Sequence, residues 1–193
     1  MGFEKGRAPK VKDRWYGDHN YRYRREFTPR EFKGEAQFTF DDLYITPFTH
    51  RRHYSENGRL QYEPIERNMN PTGIWVMDDF LRCMSSGNSN VGAFCKRYGA
   101  RVSDLESLIF LLTGMRGINF RYAYQRRMAD DMLRYTSLPV ADIAPLCGFG
   151  SRTNFYFAYM RDYKCSPSER RLQLQKPEDI DLYKIEQSSS SNI

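Results

Sequence analysis

Apolar positions in the second half of the chain recur at helical spacing. A first stripe, at the i, i+3, i+4, i+7 spacing of an amphipathic helix, consists of Val91, Phe94, Cys95 and Tyr98. Gly99 follows it and is suited to end that helix in a left-handed conformation. A second stripe consists of Leu105, Leu108, Ile109 and Leu112, and it ends at Gly114. Ser103 and Glu106 are candidates for a capping box at its start. The pattern predicts a helix-turn-helix unit over 91–114.

A second pair of stripes predicts a second unit about fifty residues further on. Its first helix carries Val140, Ile143, Ala144 and Cys147. Gly148 turns the chain, and the next helix begins near Ser151 and buries Phe155, Ala158 and Tyr159. Ser166 and Glu169 form a capping box with Pro167 at the first helical position, so a final helix begins there.

A long helix between the two units is predicted from Asn119 to Arg134. Its apolar positions are Phe120, Tyr124, Met128 and Met132. Sixteen residues give a rod of roughly 24 Å. Its basic residues, expected mostly on solvated faces, are Arg121, Arg126, Arg127 and Arg134. Further upstream, Asn70 is a candidate N-cap with Pro71 at the first helical position of another helix.

Residues 1–70 lack a helical period and are rich in aromatic residues and arginine. Short alternations at Tyr21/Tyr23 and Phe38/Phe40 are typical of strands, and Asn57-Gly58 predicts a hairpin turn. Such an extension is stable only if it docks on the helices. Two interpretations stay open: a packed extension over the helical domain, or a basic aromatic surface for nucleic acid or a partner. The acidic, Ser-rich tail 175–193 is expected to be mobile.

Charge and composition narrow the function classes. The net charge of +6 and pI of about 9.1 favour a polyanionic partner without identifying one. No apolar run reaches the roughly eighteen residues of a membrane span, and the charged N-terminus excludes a secretory signal, so a cytoplasmic location without membrane contact is expected. The four cysteines form no C-x-x-C pair and are interpreted as small buried side chains.

No pattern of catalysis or metal binding stands out. His50 and His53 have a usable spacing, but zinc needs two further ligands that the neighbourhood lacks. There is no Gly-rich phosphate loop and no nucleophile with a candidate base, and Cys147 belongs to an apolar stripe. We therefore expect no enzyme activity, no metal and no cofactor.

The segment IAPLCGFGSRTNFYFAYMRDYKCSPSERR resembles the signature of the AraC/XylS family of bacterial transcription regulators. The matching residues are Ile143, Ala144, Gly148, Phe149, Phe155, Tyr159, Pro167 and Arg171. The turn glycines Gly99 and Gly148 lie 148 − 99 = 49 residues apart, as the paired units of that family require. The resemblance covers about 74–173. It implies an all-α domain, residues 71–174, whose two recognition helices enter successive major grooves of double-stranded DNA.

This resemblance implies a sequence-specific DNA-binding regulator, for which RNA polymerase is a further candidate partner. In the second unit, Arg152 is suited to guanine O6 and N7, Thr153 to a base or a phosphate, and Tyr156 to a phosphate or a thymine methyl. In the first unit the outward positions chosen for DNA contact are Arg101, Ser103 and Ser107.

A protein-interaction module with the same fold and weak or no DNA binding is the alternative. Asp104 and Glu106 place negative charge near the first recognition face, although acids in a first helical turn also complement the helix dipole. Phe157 and Met160 stand where the family usually has polar or basic residues. Whether the chain forms oligomers is left open.

Overall fold

Helices make up most of the regular structure in residues 34–185, the part of the chain that the computed structural model describes. The α-helices are α1 (Phe40–Leu43), α2 (Trp75–Ser85), α3 (Val91–Arg97), α4 (Val102–Thr113), α5 (Gly117–Tyr135), α6 (Val140–Leu146), α7 (Arg152–Tyr163) and α8 (Pro167–Leu174). The strands are β1 (Phe48–Tyr54), β2 (Leu60–Pro64) and β3 (Tyr183–Ile185). They form one antiparallel sheet in the order β2-β1-β3. The fold is therefore mostly helical with a small sheet, and its three strands lie outside residues 71–174, in the extension before them and in the tail after them.

The hairpin predicted at Asn57-Gly58 is confirmed. β1 and β2 pair antiparallel from Tyr54 opposite Leu60 outwards, and Gly58 takes the left-handed φ of 70° in the turn. The strand expected at Phe38/Phe40 is wrong, because Phe40 begins α1. The carboxylate of Asp42 accepts from the backbone N–H of Thr39 at 2.7 Å, so a capping box starts a helix there. The Tyr21/Tyr23 alternation lies outside the described residues.

The tail does not become mobile directly after α8. A 3-10 helix spans Pro177–Asp179, and β3 pairs with β1. Tyr183 stacks on Phe48 with 5.0 Å between ring centroids, and Arg134 Nε donates to Asp179 at 3.0 Å. The expectation of a mobile tail is thus wrong for 175–185, because these contacts hold the segment, and 186–193 lie outside the described residues.

The helix expected to begin at Asn70-Pro71 begins later. α2 starts at Trp75 with Ile74 as its N-cap residue. The preceding loop is held by the backbone N–H of Thr72, which donates to Asp78 Oδ1 at 2.8 Å, and Gly73 has a φ of 83°. Because Gly73 is left-handed, a right-handed helix cannot continue through it. Asn70-Pro71 therefore belongs to a loop and does not cap the helix.

The middle of α5 lies in the core. Residues buried along it include Phe120, Tyr124, Met128 and Met132. The helix has 19 residues, so the predicted long helix is confirmed and extends to about 28 Å. The Tyr124 hydroxyl donates to Ile45 O at 3.0 Å and accepts from Ile45 N at 3.1 Å, and the Tyr44 hydroxyl donates to Asp131 at 2.8 Å. The segment before the sheet is therefore packed onto the helices, as the first interpretation of the extension expected.

Candidate nucleic-acid interface

The first helix-turn-helix unit consists of α3 and α4. Asn90 caps α3 by accepting from Ala93 N at 3.0 Å, and Gly99 ends the helix with a φ of 63°, as predicted. The predicted capping box of Ser103 and Glu106 is wrong, because α4 begins two residues earlier. Asp104 occupies the third helical position and accepts from the backbone N–H of Arg101 at 3.0 Å. That N–H is the donor that lowers the pKa of the Asp104 carboxyl most.

The second unit consists of α6 and α7. Gly148 turns the chain with a φ of 75°, and Ser151 caps α7 by accepting from Asn154 N at 3.2 Å. Phe155 and Tyr159 are fully buried, with 4.7 Å between their ring centroids. The predicted helix start and buried stripe are confirmed here, except that Ala158 is only half-buried. The Ser166–Glu169 capping box of α8 is also confirmed.

The two outer helices correspond residue by residue. α4 and α7 each have 12 residues, and their N-cap residues are Arg101 and Ser151, so position n of the first matches position n + 50 of the second. The exposed pairs are Val102/Arg152, Ser103/Thr153, Asp104/Asn154, Ser107/Phe157 and Leu111/Arg161. Similar backbones therefore present different side chains to the outside.

The second unit exposes all three residues predicted to bind DNA there. Arg152, Thr153 and Tyr156 lie on the solvent side of α7. Arg152 forms no ion pair with any residue in the described range 34–185. Within that range, its guanidinium is therefore available to donate hydrogen bonds to a ligand. A free guanidinium beside a hydroxyl and a phenol offers the donors that base edges and phosphates accept.

The first unit exposes its three predicted residues, but its charges are compensated. Arg101, Ser103 and Ser107 are all exposed. The Arg101 guanidinium, 84% exposed, lies 3.2 Å from Asp104 Oδ1. Glu106 Oε1 lies 3.5 Å from Arg121 Nη2. Each acid thus has an internal cationic partner, and the face is close to electrically neutral.

The sequence predicted that the arginines of α5 lie mostly on solvated faces, but each of them pairs with a carboxylate. Their partners are Glu106 for Arg121, Asp162 for Arg126 at 3.1 Å, Asp131 for Arg127 at 3.5 Å, and Asp179 for Arg134 at 3.0 Å. The Arg121 side chain is only 24% exposed. The expectation of solvated arginines is wrong for Arg121 and Arg126, because the flanking elements bring carboxylates to them. The arginines of this helix therefore form ion pairs within the protein.

Asp130, on α5, holds the second unit against that helix through hydrogen bonds and an ion pair. Its carboxylate accepts from the Tyr159 hydroxyl at 2.7 Å, from the Tyr163 hydroxyl at 3.2 Å and from Arg170 Nη2 at 2.9 Å. Arg170 also lies over the Tyr163 ring at 4.3 Å. Burial raises the pKa of Tyr159 far above its ordinary value, so the phenol stays protonated and donates. α7 and α8 are therefore oriented by one carboxylate.

The loop before the first unit touches the turn of the second. Ser89 Oγ donates to Gly148 O at 2.8 Å, and Gln125 Nε2 donates to the same oxygen at 2.9 Å. A Cβ added at Gly87 would lie 2.2 Å from Leu146 O, so these backbones approach as closely as glycine allows. The contact limits how far the two units can move relative to one another.

Other site types find no support in the described part of the chain. Within 34–185, no group of three His, Cys, Asp or Glu side chains is arranged to hold a metal, and His50 and His53 stay without companion ligands. Cys147 is buried and burial raises the pKa of its thiol well above the ordinary value, which makes the thiolate rare. Among the same residues, no helix combines the length and apolar character needed to cross a bilayer.

Comparison with known proteins assigns these two units. A family model described as a helix-turn-helix domain matches residues 94–173, which form a domain of the AraC type. No curated protein matches the chain significantly. Residues 94–173 thus carry a domain of the type found in DNA-binding transcription regulators.

Three solved structures resemble the chain. The C-terminal domain of AraT, a response regulator from Geobacillus stearothermophilus, is 18% identical with a TM-score of 0.48, over 57% of this chain and 91% of that one. The C-terminal domain of the two-component response regulator YesN from Fusobacterium nucleatum is 14% identical with a TM-score of 0.44, over 50% and 94%. The xylose-binding transcription activator XylR is 20% identical with a TM-score of 0.43, over 64% and 35%. The assignment of the domain rests on the family model and not on these likenesses.

Proposed function

We propose that the chain regulates transcription by binding a specific DNA sequence with two helix-turn-helix units in successive major grooves. The observation that carries this proposal is the outer face of α7, where the exposed Arg152 forms no ion pair within residues 34–185 and stands beside Thr153 and Tyr156. Arg101, Ser103 and Ser107 are proposed to make the contacts of the first unit.

The arrangement of helices supports a bipartite site. Neighbouring major grooves on one DNA face lie about 34 Å apart. The 19 residues of α5 form a rod of about 28 Å that joins the two units, and the contact of Ser89 with Gly148 limits their relative motion. We propose cytoplasmic action on double-stranded DNA, with RNA polymerase as a further candidate partner.

Selection of bound sequences from a random DNA pool tests this function. We expect one motif with two half-sites about ten base pairs apart. Affinity for the selected site, measured by fluorescence anisotropy, should fall linearly on a log–log plot with salt, at a slope of about −0.9 per phosphate contact. Absence of any enriched motif together with salt-independent binding would refute the proposal.

The protein-interaction alternative predicts a different result. A chain of that kind would bind DNA weakly and would retain a protein partner that depends on the acidic first unit. Reversing the charges of Asp104 and Glu106 separates the two. Loss of a copurifying partner with unchanged DNA affinity would favour the interaction module.

A further inference from the structure

Phe157 occupies the middle of the outer face of α7. It is two residues from each of Phe155 and Tyr159, the fully buried residues of this helix, and is therefore about 200° around the helix axis from both. Thr153, four residues earlier, lies on the same line. Arg152 is only about 60° from Phe155 by the same geometry, so it stands at the flank of the face. A helix inserted with this face forward places Phe157 deepest.

The ring of Phe157 is exposed and packs against a neighbouring ring on one side only. The side chain is 63% exposed, and its ring packs edge-on against Tyr156 with 5.8 Å between centroids. No element of the described range covers the remaining surface. An apolar ring at the centre of a face that meets DNA has one strong chemical match among base edges, the 5-methyl group of thymine.

The charges around Phe157 favour DNA over a protein as the covering surface. All twelve residues of α7 are described, and its one carboxylate, Asp162, is only 14% exposed and pairs with Arg126 and Arg161. The free Arg152 lies at one end of the face and Lys164 follows the other end. A face bounded by cations and without an exposed acid is complementary to a polyanion.

We propose that Phe157 is a specificity-determining residue that selects thymine methyl groups in the half-site of the second unit. This inference rests on the proposed DNA-binding function and adds the base chemistry of one half-site. The matching position of the first unit is Ser107, which offers a small hydroxyl. At this helix position, discrimination by methyl groups is therefore expected in only one of the two half-sites.

Replacing thymine by deoxyuridine tests the inference, because it removes only the 5-methyl group. In the selected site, each contacted thymine changed to deoxyuridine should weaken binding of the full chain about fourfold, the value for burying one methyl-sized group. Phe157→Ala should weaken binding to the thymine site about tenfold and should bind both sites equally well. Phe157→Leu, which keeps an apolar side chain, should still prefer thymine.

Two controls separate this inference from the function on which it rests. Leu172→Ala removes another exposed apolar side chain, on α8, and should leave affinity unchanged. If the protein binds its site and Arg152→Ala weakens binding, the function stands. If deoxyuridine is then tolerated equally by the original chain and by Phe157→Ala, or if the half-site contains no required thymine, the inference is overturned. Unchanged DNA affinity of Phe157→Ala would overturn it too and would indicate a protein contact.

Discussion

The two helix-turn-helix units share a backbone plan but differ in how they are held and in what they expose. The first is fastened by aliphatic side chains of α4, with Leu105, Ile109 and Leu112 all buried. In the second, the position that matches Leu112 is Asp162, which pairs with two arginines, and Asp130 accepts from three donors. Apolar burial thus stabilises the helical frame of both units, and in the second unit a polar network is added to it.

The two units also differ in the side chains that their outer faces expose. The first unit exposes hydroxyls, compensated charges and two aliphatic side chains, Val102 and Leu111, whereas the second exposes two aromatic rings and an arginine without an ion pair among residues 34–185. Compensated charges are poor anchors for phosphates, because the pair must be broken or shared before a new contact forms. Affinity and base selection are therefore expected mainly from the second unit.

The turn glycines should show the largest difference between the units. A Cβ at Gly148 would lie 2.7 Å from Ser89 Oγ and 3.0 Å from Gln125 Nε2, whereas a Cβ at Gly99 would meet nothing within 4 Å. Both residues have positive φ, which costs an alanine about 1–2 kcal/mol. With overpacking added, Gly148→Ala should lower the free energy of unfolding by roughly 2–5 kcal/mol and Gly99→Ala by about 1–2 kcal/mol. Urea unfolding followed by circular dichroism measures both, and equal losses would contradict the close contact between units.

The next largest effect is expected at the first position of each outer helix. Arg152→Ala should weaken specific DNA binding by roughly 1–3 kcal/mol and relax the preference at one base pair. Its counterpart Val102→Ala removes a partly exposed apolar side chain and should change affinity by less than about 0.5 kcal/mol. Anisotropy titrations on the selected site and on single-base variants test this. A larger effect at Val102 would reverse the proposed roles of the two units.

Acid should weaken the second unit through Asp162. Arg161 donates to this carboxylate and lowers its pKa from the ordinary 3.8. A folded pKa below the unfolded value means that the stabilisation is present above about pH 4 and is lost as the pH falls through the folded pKa. Asp162→Asn should therefore cost roughly 0.5–1 kcal/mol near pH 7, and the cost should shrink as the pH falls through the folded pKa. Glu56→Gln, in the exposed hairpin turn, is the control in unfolding curves at several pH values. A cost that is independent of pH would show that the charge of Asp162 is irrelevant.

The smallest effect is expected at Asp104. Asp104→Asn copies the residue found at the matching position of the second unit, Asn154, and its amide oxygen can still accept from the Arg101 backbone. It removes one negative charge and releases the Arg101 side chain. DNA affinity should rise by roughly 0.3–1 kcal/mol at low salt, and the gain should shrink as salt increases. Unchanged affinity in low salt would place Asp104 away from the phosphates.

Much of the helical domain could be predicted from local signals. The stripes that define α3, α4, α6 and α7, the two turn glycines and the capping box of α8 are properties of neighbouring residues, so spacing alone locates them. The sheet could not be predicted in the same way. β1 joins β3 across more than a hundred residues, and its sequence FTHRRHY has no clear alternation of apolar and polar residues. The ion pairs of α5 were also missed, because Asp162 and Asp179 come from distant elements.

Helical periodicity predicted that the six candidate DNA contacts are exposed. It did not predict which of their charged side chains form ion pairs within the protein. Periodicity shows that Arg101 and Arg152 face outwards. It cannot show that, among the described residues, Arg101 pairs with a carboxylate and Arg152 does not. The central position of Phe157 follows from its spacing to Phe155 and Tyr159. A phenylalanine where the family usually has a polar or basic residue was interpreted as favouring the protein-interaction alternative and not as a contact that selects a base.

The sequence by itself determined which segments become helices and where the two turns fall, since short-range spacing and backbone preference decide those features. Only the tertiary structure decided which charges remain available. Ion pairs such as Glu106 with Arg121 depend on how α4 packs against α5, and the glycine contact between the units depends on how the loop at Gly87 meets α6. These are long-range contacts, and their energies do not appear in any local pattern of residues.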